Sequence, residues 1–333
     1  MEERRFTCSL ITPLFSYGAY PKKMEFRAAE LKGLMRYVYR ITCPQNKKTL
    51  LKNENILFGG VSNSGQKDNG NGNKVSLPSE GENGWASPVR LRVWGGKGEG
   101  SMHLLLHDKK NGLNPFMEYM KTGNLYISLK CRPITAERGY DFYPQKADID
   151  WYTDLAMLSV MLCGLGRRSR KGRGSLKVEE LRFVDSSEAA EWICRVLNQT
   201  ACLCSNENAE RFYMLSKEQI TPLFNSKIFF RPVIQKIQFG RSMNQEKVMT
   251  YLTAIDELCH DKLKFKNPVE AAATGRGKPR LASPLWISFI NTDEGVCPVY
   301  TFVNAIDRSK QIDADCKVRD EFVDLLEKRT KRR

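Results

Sequence analysis

An α+β fold in two similar halves is what the sequence predicts, and three observations carry that reading. Strand-like and helix-like segments follow the order strand, helix, strands, helix, basic glycine loop, strand, and a comparable order returns in the second half. The chain has 333 residues, 41% hydrophobic and 10% aromatic, enough to bury a core and to form two domains of ordinary size. Each half carries a loop that mixes glycine with cations, GLGRRSRKGRG at Gly164 to Gly174 and GRGKPR at Gly275 to Arg280. So much apolar content excludes global disorder.

The first segment, FTCSLITPL from Phe6 to Leu14, reads as a strand that ends at Pro13, which has no N–H for a central ladder. After a turn in SYGAYPKK, Leu31, Leu34, Met35, Val38 and Tyr39 recur with helical spacing, while Lys32, Arg36 and Arg40 form a basic stripe on another face. Residues 62–84 are rich in Gly, Asn and Ser and too poor in apolar side chains to offset their ordering entropy, so a mobile loop insertion is expected there. PVRLRVW, SMHLLLH and NLYISLKC read as strands, the first two joined in a hairpin through GGKGEG. That glycine run lacks the Lys-Ser/Thr and the following helix of a phosphate-cradling loop. Asp148 or Asp150 caps a buried helix through WYTDLAMLSVMLC, and Gly164 ends it. The basic loop comes next, and SLKVEELRFV alternates like a strand.

In the second half, EAAEWICRVL reads as a helix, KIFFRPVIQKIQF as a strong strand, Asn244 to Leu263 as a helix, and PLWISFI, after the second basic loop, as another strand. A last amphipathic helix presents Val318, Phe322, Leu325 and Leu326 on one face and ends in KRTKRR.

Lys plus Arg number 53 against 38 Asp plus Glu, a formal charge of +15, which attracts polyanions at long range and puts nucleic acid first among partners. The ten cysteines form no Cys-x-x-Cys and only one close pair, Cys202 and Cys204, so reduced thiols in a cytoplasmic protein are expected rather than a zinc knuckle. The apolar run of MEERRFTCSLITPLF is short and broken, and nowhere do eighteen apolar residues run together, so neither a signal peptide nor a membrane span is expected. His103 and His107 share one side of a predicted strand about 13 Å apart, too far to hold one metal. No metal, cofactor or catalytic residue is expected. Core packing is the expected use of Trp85, Trp94, Tyr37, Tyr39 and Tyr140, with base stacking the alternative.

The first basic loop carries the clearest chemistry. Glycines let the backbone approach a phosphate and line up N–H groups around it, and Arg167, Arg168, Arg170, Lys171 and Arg173 supply the charge. As solvated charges they would contribute little to stability, so the fold should survive their removal. The stripe of Lys32, Arg36 and Arg40 is equally consistent with anion binding near a helix N-terminus and with an ordinary solvated face. Arg276, Lys278 and Arg280 in the second loop are equally open between RNA contact and a plain surface loop.

ITPLFSYGA, the helix bearing LKGLMR, GLGRRSRKGRGS and RLASPLWI together resemble the RAMP superfamily of CRISPR RNA-binding proteins, and within it the head-end subunit of the type III-B (Cmr) effector complex. The four segments span nearly the whole chain. The resemblance implies two tandem ferredoxin-like, RRM-related domains with loop insertions and a C-terminal helix: 1–184 as the first, with its insertion around 62–84, 185–204 as a connecting helix, and 205–333 as the second. It also implies a non-catalytic role, binding CRISPR RNA at the end of the complex that holds the 3′ part of the guide, beside other RAMP subunits and with target RNA as a further partner. The candidate RNA-binding residues, from the basic loops and stripe together with the resemblance, are Lys32, Arg36 and Arg40, then Gly166, Arg167, Arg168, Arg170, Lys171, Gly172, Arg173 and Gly174, and finally Arg276, Lys278 and Arg280. The alternative reading is a metal-independent endoribonuclease that processes CRISPR transcripts, which needs a general base. A free-standing RNA chaperone is a third.

Overall fold

The computed structural model describes residues 1–18, 20, 23–60, 86–106, 116–132, 147–203, 211–229, 231–263, 282–304, 306–307, 312–313 and 316–331. In chain order the elements are β1 (Glu2–Leu10), α1 (Ala28–Thr42), α2 (Lys47–Phe58), β2 (Val89–Gly95), β3 (Gly100–His103), β4 (Phe116–Tyr119), β5 (Asn124–Cys131), α3 (Ile149–Cys163), β6 (Leu176–Val178), α4 (Ser186–Cys202), β7 (Tyr213–Ser216), β8 (Gln219–Pro222), β9 (Ile234–Phe239), α5 (Val248–Leu263), β10 (Leu285–Thr292), β11 (Gly295–Val303), β12 (Ile306–Asp307), β13 (Ile312–Asp313) and α6 (Cys316–Lys331). The fold is α+β, with one sheet ordered β2-β5-β1-β6 and a second ordered β10-β11-β9-β8-β7, both antiparallel.

Strand alternation sets the faces of the first sheet. Phe6, Cys8, Val89, Leu125, Ile127 and Leu129 are buried toward the helices, while Arg5, Arg90, Arg92, Trp94, Tyr126 and Lys130 lie exposed on the opposite face. Helix α3 begins where the Asp148 carboxylate accepts from Trp151 N–H at 2.8 Å, and ends at Gly164, with φ of 61°. It packs against β1, β5 and β6 on one side and β10 on the other, which is why its sequence is apolar nearly all round. Strand β10 is likewise buried on both faces: Trp286 and Ile290 join the core with α3, and Leu285, Ile287 and Phe289 join a second core with α5 and α6. The layers therefore run sheet, helices, sheet, helices.

Several expectations need correction. GGKGEG does not join a hairpin: β2 pairs with β5, whose buried residues match its own alternation, and β3 pairs with β4. Among the described residues of SMHLLLH only those within the strand Gly100–His103 are extended in a ladder, and of SLKVEELRFV only Leu176–Val178 is strand. In KIFFRPVIQKIQF the strand starts at Ile234, because Pro232 cannot donate to a ladder and Ser226–Ile228 form a short 3-10 turn. Helix α2, the β7-β8 hairpin and strand β11 were not anticipated. The insertion at 62–84 lies outside the described residues.

Helix α6 docks on the second half through Phe322, Val323 and Leu326, packed with Val248, Leu252 and Ile255 of α5 and with Phe302. Leu325, placed on the apolar face by the sequence, is instead 40% exposed, and Val323 takes its place, since positions 319, 322, 323 and 326 share one side. The side chain of Val318 lies outside the described set.

The halves are also joined by ions. Asp256, on α5 and fully buried, accepts from Arg173 Nη2 at 2.5 Å and Nη1 at 3.3 Å, from Arg168 Nη2 at 2.6 Å, and from Leu106 N–H at 2.9 Å. Burial pushes its carboxyl up, but the Arg173 and Arg168 charges and these hydrogen bonds outweigh that and hold it below its ordinary value. The basic loop is thus anchored to a carboxylate across the interface between the halves.

Two measurements test this packing. Phe322→Ala should cost about 3–5 kcal/mol of unfolding free energy, whereas Leu325→Ala should stay within about 0.5 kcal/mol. Hydrogen exchange should find the amides around Phe322 to Leu326 protected in the free chain, and their full exposure would contradict the docking. Asp256→Asn should cost about 3–5 kcal/mol in urea unfolding, because it leaves two arginines without their counter-charge. The folded carboxyl lies below its unfolded value of about 3.9, so this stabilisation is complete at neutral pH and is lost as pH falls through the folded value. Asp256→Asn should therefore flatten the stability curve below pH ~4 relative to the parent.

Candidate nucleic-acid interface

The loop 164–174 leaves α3 and crosses back over the segment that follows β1. Leu165 N–H bonds to Gly174 O, Arg167 N–H to Phe15 O at 2.7 Å, and Gly174 N–H to Pro13 O at 2.9 Å. Glycine is required by these crossings: Gly166 and Gly174 have φ of 83° and 64°, and a Cβ there would sit 2.4 Å from Phe15 O and 1.9 Å from Leu165 O. The Gly166 N–H, expected to face a phosphate, donates at 2.6 Å to the Glu30 carboxylate at the start of α1. An anion already occupies that place, and it belongs to the chain itself.

The five cations divide by environment. Arg173 is 1% exposed, and its charge is matched by Asp256. Lys171 is buried, donates to Ser283 Oγ at 3.0 Å, and is pushed below its ordinary pKa chiefly by desolvation. The loop also adds a rung to the second sheet, with Ile287 N–H bonding Arg170 O at 3.2 Å. Arg168, at a φ of 57°, turns its guanidinium to Asp256. These contacts correct the expectation of a solvated loop: Arg168, Lys171 and Arg173 pin it down, because β10 and α5 close over it. Arg170 is half-buried with its guanidinium 4.6 Å from the Trp286 ring centre and 5.3 Å from that of Tyr37, and those two rings are stacked. Arg167 alone of the five is exposed, lying over the Tyr17 ring at 5.2 Å.

The basic stripe of α1 separates into two environments. Arg36 bonds to Glu54 at 2.6 Å and to Gly59 O at 3.0 Å, and Arg40 approaches the other oxygen of Glu54 at 3.5 Å. Glu54, on the unanticipated α2, is almost fully buried, so this part of the stripe ties two helices together. Lys32 reaches instead to Ser87 Oγ at 2.6 Å, at the edge of β2, where it lines a groove with Arg90, Arg92, Ser128 and Lys130. Burial, with Arg36 adding to it, lowers its pKa. Arg90, Arg92 and Lys130 were not singled out in the sequence, although the alternation of VRLRVW carried the signal. Arg276, Lys278 and Arg280 lie outside the described residues, as do His107, Trp85, Tyr140 and Cys204.

Of the aromatics, Tyr39 is buried and Tyr37 packs on Trp286, in keeping with core use. Trp94 is 44% exposed and departs from it. His103 packs edge-on against Phe116. Among the described residues no group of three His, Cys, Asp or Glu side chains gathers as a metal site requires, and no helix is long and apolar enough to cross a membrane.

No protein-family model matches the chain. In sequence it is 29% identical over 200 residues to the CRISPR system Cmr subunit Cmr1-2 of Pyrococcus furiosus, an alignment covering 55% of this chain and 98% of that protein. In fold it is similar to the crystal structure of apo Cmr1 from Pyrococcus furiosus, with a TM-score of 0.53 at 16% identity over 99% of this chain and 97% of that one. A chain in the cryo-EM structure of Type III-B Cmr-beta bound to cognate target RNA matches with a TM-score of 0.53 at 11% identity, covering 98% of this chain and 99% of that one. The chain is thus similar in sequence to one Cmr1 protein over part of its length and similar in fold to Cmr1 over nearly all of it, the same subunits that its basic glycine loop and RLASP segment resemble.

Proposed function

We propose that this protein is a non-catalytic RNA-binding subunit of a type III-B Cmr complex, cytoplasmic, holding the 3′ part of the guide RNA beside other RAMP subunits. The observation that carries the reading is the sequence match to Cmr1-2 along almost all of that protein's length. The fold likeness to a chain of a complex bound to target RNA, and the excess of 53 basic over 38 acidic residues, support it. The domain reading is that 1–184 forms one ferredoxin-like unit, 185–204 a connecting helix and 205–333 a second unit. In favour of the first is the sheet order β6-β1-β5-β2, which is the fourth, first, third and second strand of a βαββαβ repeat. In the second, β9, β11 and β10 keep the places of first, third and second strand, and β8 lies where a fourth would pair.

RNA contact in this reading falls on Arg167 and Arg170 of the loop and on Lys32 beside Arg90, Arg92 and Lys130. Gly166, Arg168, Lys171, Gly172, Arg173 and Gly174 hold the loop in shape, and Arg36 and Arg40 share Glu54. Arg276, Lys278 and Arg280 of the second basic loop are further RNA contacts in this reading. Sequence is then read by pairing between guide and target, with the protein contributing phosphate contacts.

Sequencing of RNA that co-purifies with the tagged protein tests the function: guide RNAs together with other Cmr subunits are expected, and a random RNA population would overturn it. Incubation with labelled repeat RNA in EDTA should leave the RNA intact, and site-specific cleavage would favour the endoribonuclease instead. Arg167→Ala should weaken binding to single-stranded RNA while leaving Tm unchanged, and should reduce the log–log salt slope by about 0.7, the amount for one phosphate. Arg173→Ala should lower Tm as well.

A further inference from the structure

The outer face of the first sheet bears a feature that the loop does not explain. Trp94 on β2 and Tyr126 on β5 are direct cross-strand partners, with ring centres 5.8 Å apart and planes 27° from parallel, and they stay 44% and 41% exposed. Every second residue of β2 on this face is Arg90, Arg92 or Trp94, so the aromatic pair continues a row of arginines spaced about 7 Å apart. Arg90 and Arg92 are exposed and form no ion pair among the described residues. On the first sheet Glu3 pairs with Arg5 and Lys130, while Glu179 and Glu180 lie past β6 at the opposite edge and engage Ser9, Lys177 and the Thr7 N–H. A cross-strand aromatic pair can exist merely to stabilise two strands. That use calls neither for two rings this accessible nor for arginines beside them with no ion pair among the described residues, and the Lys32 groove extends the same positive surface around the edge of β2.

We propose that this face is a second RNA contact, in which Trp94 and Tyr126 stack against an unpaired base of a single strand and Arg92 and Arg90 hold its flanking phosphates. The proposal rests on the RNA-binding reading above but on different residues. A flat π surface matches a base, and cations on one side of it match a backbone phosphate while repelling basic partners. The test compares the intact chain and a Trp94→Leu/Tyr126→Leu variant for binding a 12-nucleotide single-stranded RNA and an abasic ribose-phosphate oligomer of equal length, by fluorescence anisotropy. The variant should lose roughly 5- to 100-fold in affinity for RNA and almost none for the abasic oligomer. Equal RNA binding by parent and variant, or equal binding of both oligomers by the parent, overturns the platform. Iodouridine-labelled RNA cross-linked to the unaltered chain gives a readout independent of variant folding: adducts at Trp94 or Tyr126 support the proposal, and adducts confined to other segments overturn it. Binding that is lost with Arg167→Ala but indifferent to the aromatic pair defeats only the platform. A chain that binds neither oligomer defeats the RNA-binding reading with it.

Discussion

The ion cluster of Arg173, Arg168 and Asp256 is the constraint around which the molecule is arranged. Asp256 belongs to α5 in the second half, and both arginines belong to the loop leaving α3 in the first, so the halves cannot separate without exposing or stranding buried charge. Apolar packing on either side reinforces the junction: β10 buries Trp286 against the helices of the first half and Phe289 against those of the second. An ion pair in water would be weak glue. This one is effective because the aromatic and aliphatic walls of β10 and α5 exclude water from it.

That junction alters what a basic glycine loop means. Four glycines and five cations read as an adaptable anion cradle, yet the glycines here serve close backbone crossings, one N–H is answered by Glu30, and three of the cations are committed to holding the loop. The result is rigidity. Arg167 projects from a backbone fixed by Phe15 and Pro13, and Arg170 lies half-buried against Trp286 and Tyr37 with Nη1 donating to Ser283 O at 3.3 Å, so little conformational entropy remains to be lost when they meet a ligand. A wholesale alanine replacement of the loop would confound loss of binding with loss of structure. The two roles separate only residue by residue.

How much of this was legible in the sequence follows from the range of each signal. Helices α1 and α3 were readable because their spacing, caps and stops are local: Asp148 and Gly164 are written within one turn of the helix they bound. The division of loop cations was not, because nothing near Arg173 in sequence announces Asp256, eighty-three residues away. Strand pairing failed for the same reason, since GGKGEG is a plausible local turn and the true partner of β2 is chosen by matched buried faces. Leu325 and Val323 exchanged roles because a terminal helix one residue out of phase shows almost the same periodicity. In the first sheet the alternation of Arg90, Arg92 and Trp94 was present but ambiguous, because a strand's exposed face is known only once its buried face has found a partner.

These observations also locate the charge that remains available. A formal +15 is a property of the whole chain, but a cation attracts RNA in proportion to how little local carboxylate answers it. Arg36 and Arg40 share Glu54, and Arg168 and Arg173 share Asp256, so each cluster keeps one net positive charge where the sequence shows two cations. Arg90 and Arg92 on the outer sheet face have no such partner among the described residues, and Lys32 lines the same groove beside Lys130, which pairs with Glu3. The unpaired arginines of β2 therefore lie at one edge of the first sheet, beside the exposed aromatic surface of Trp94 on β2 and Tyr126 on β5. Counting basic residues along the sequence points to the glycine loop, whereas the placement of carboxylates in space singles out Arg90 and Arg92 of β2 as cations with no ion pair among the described residues.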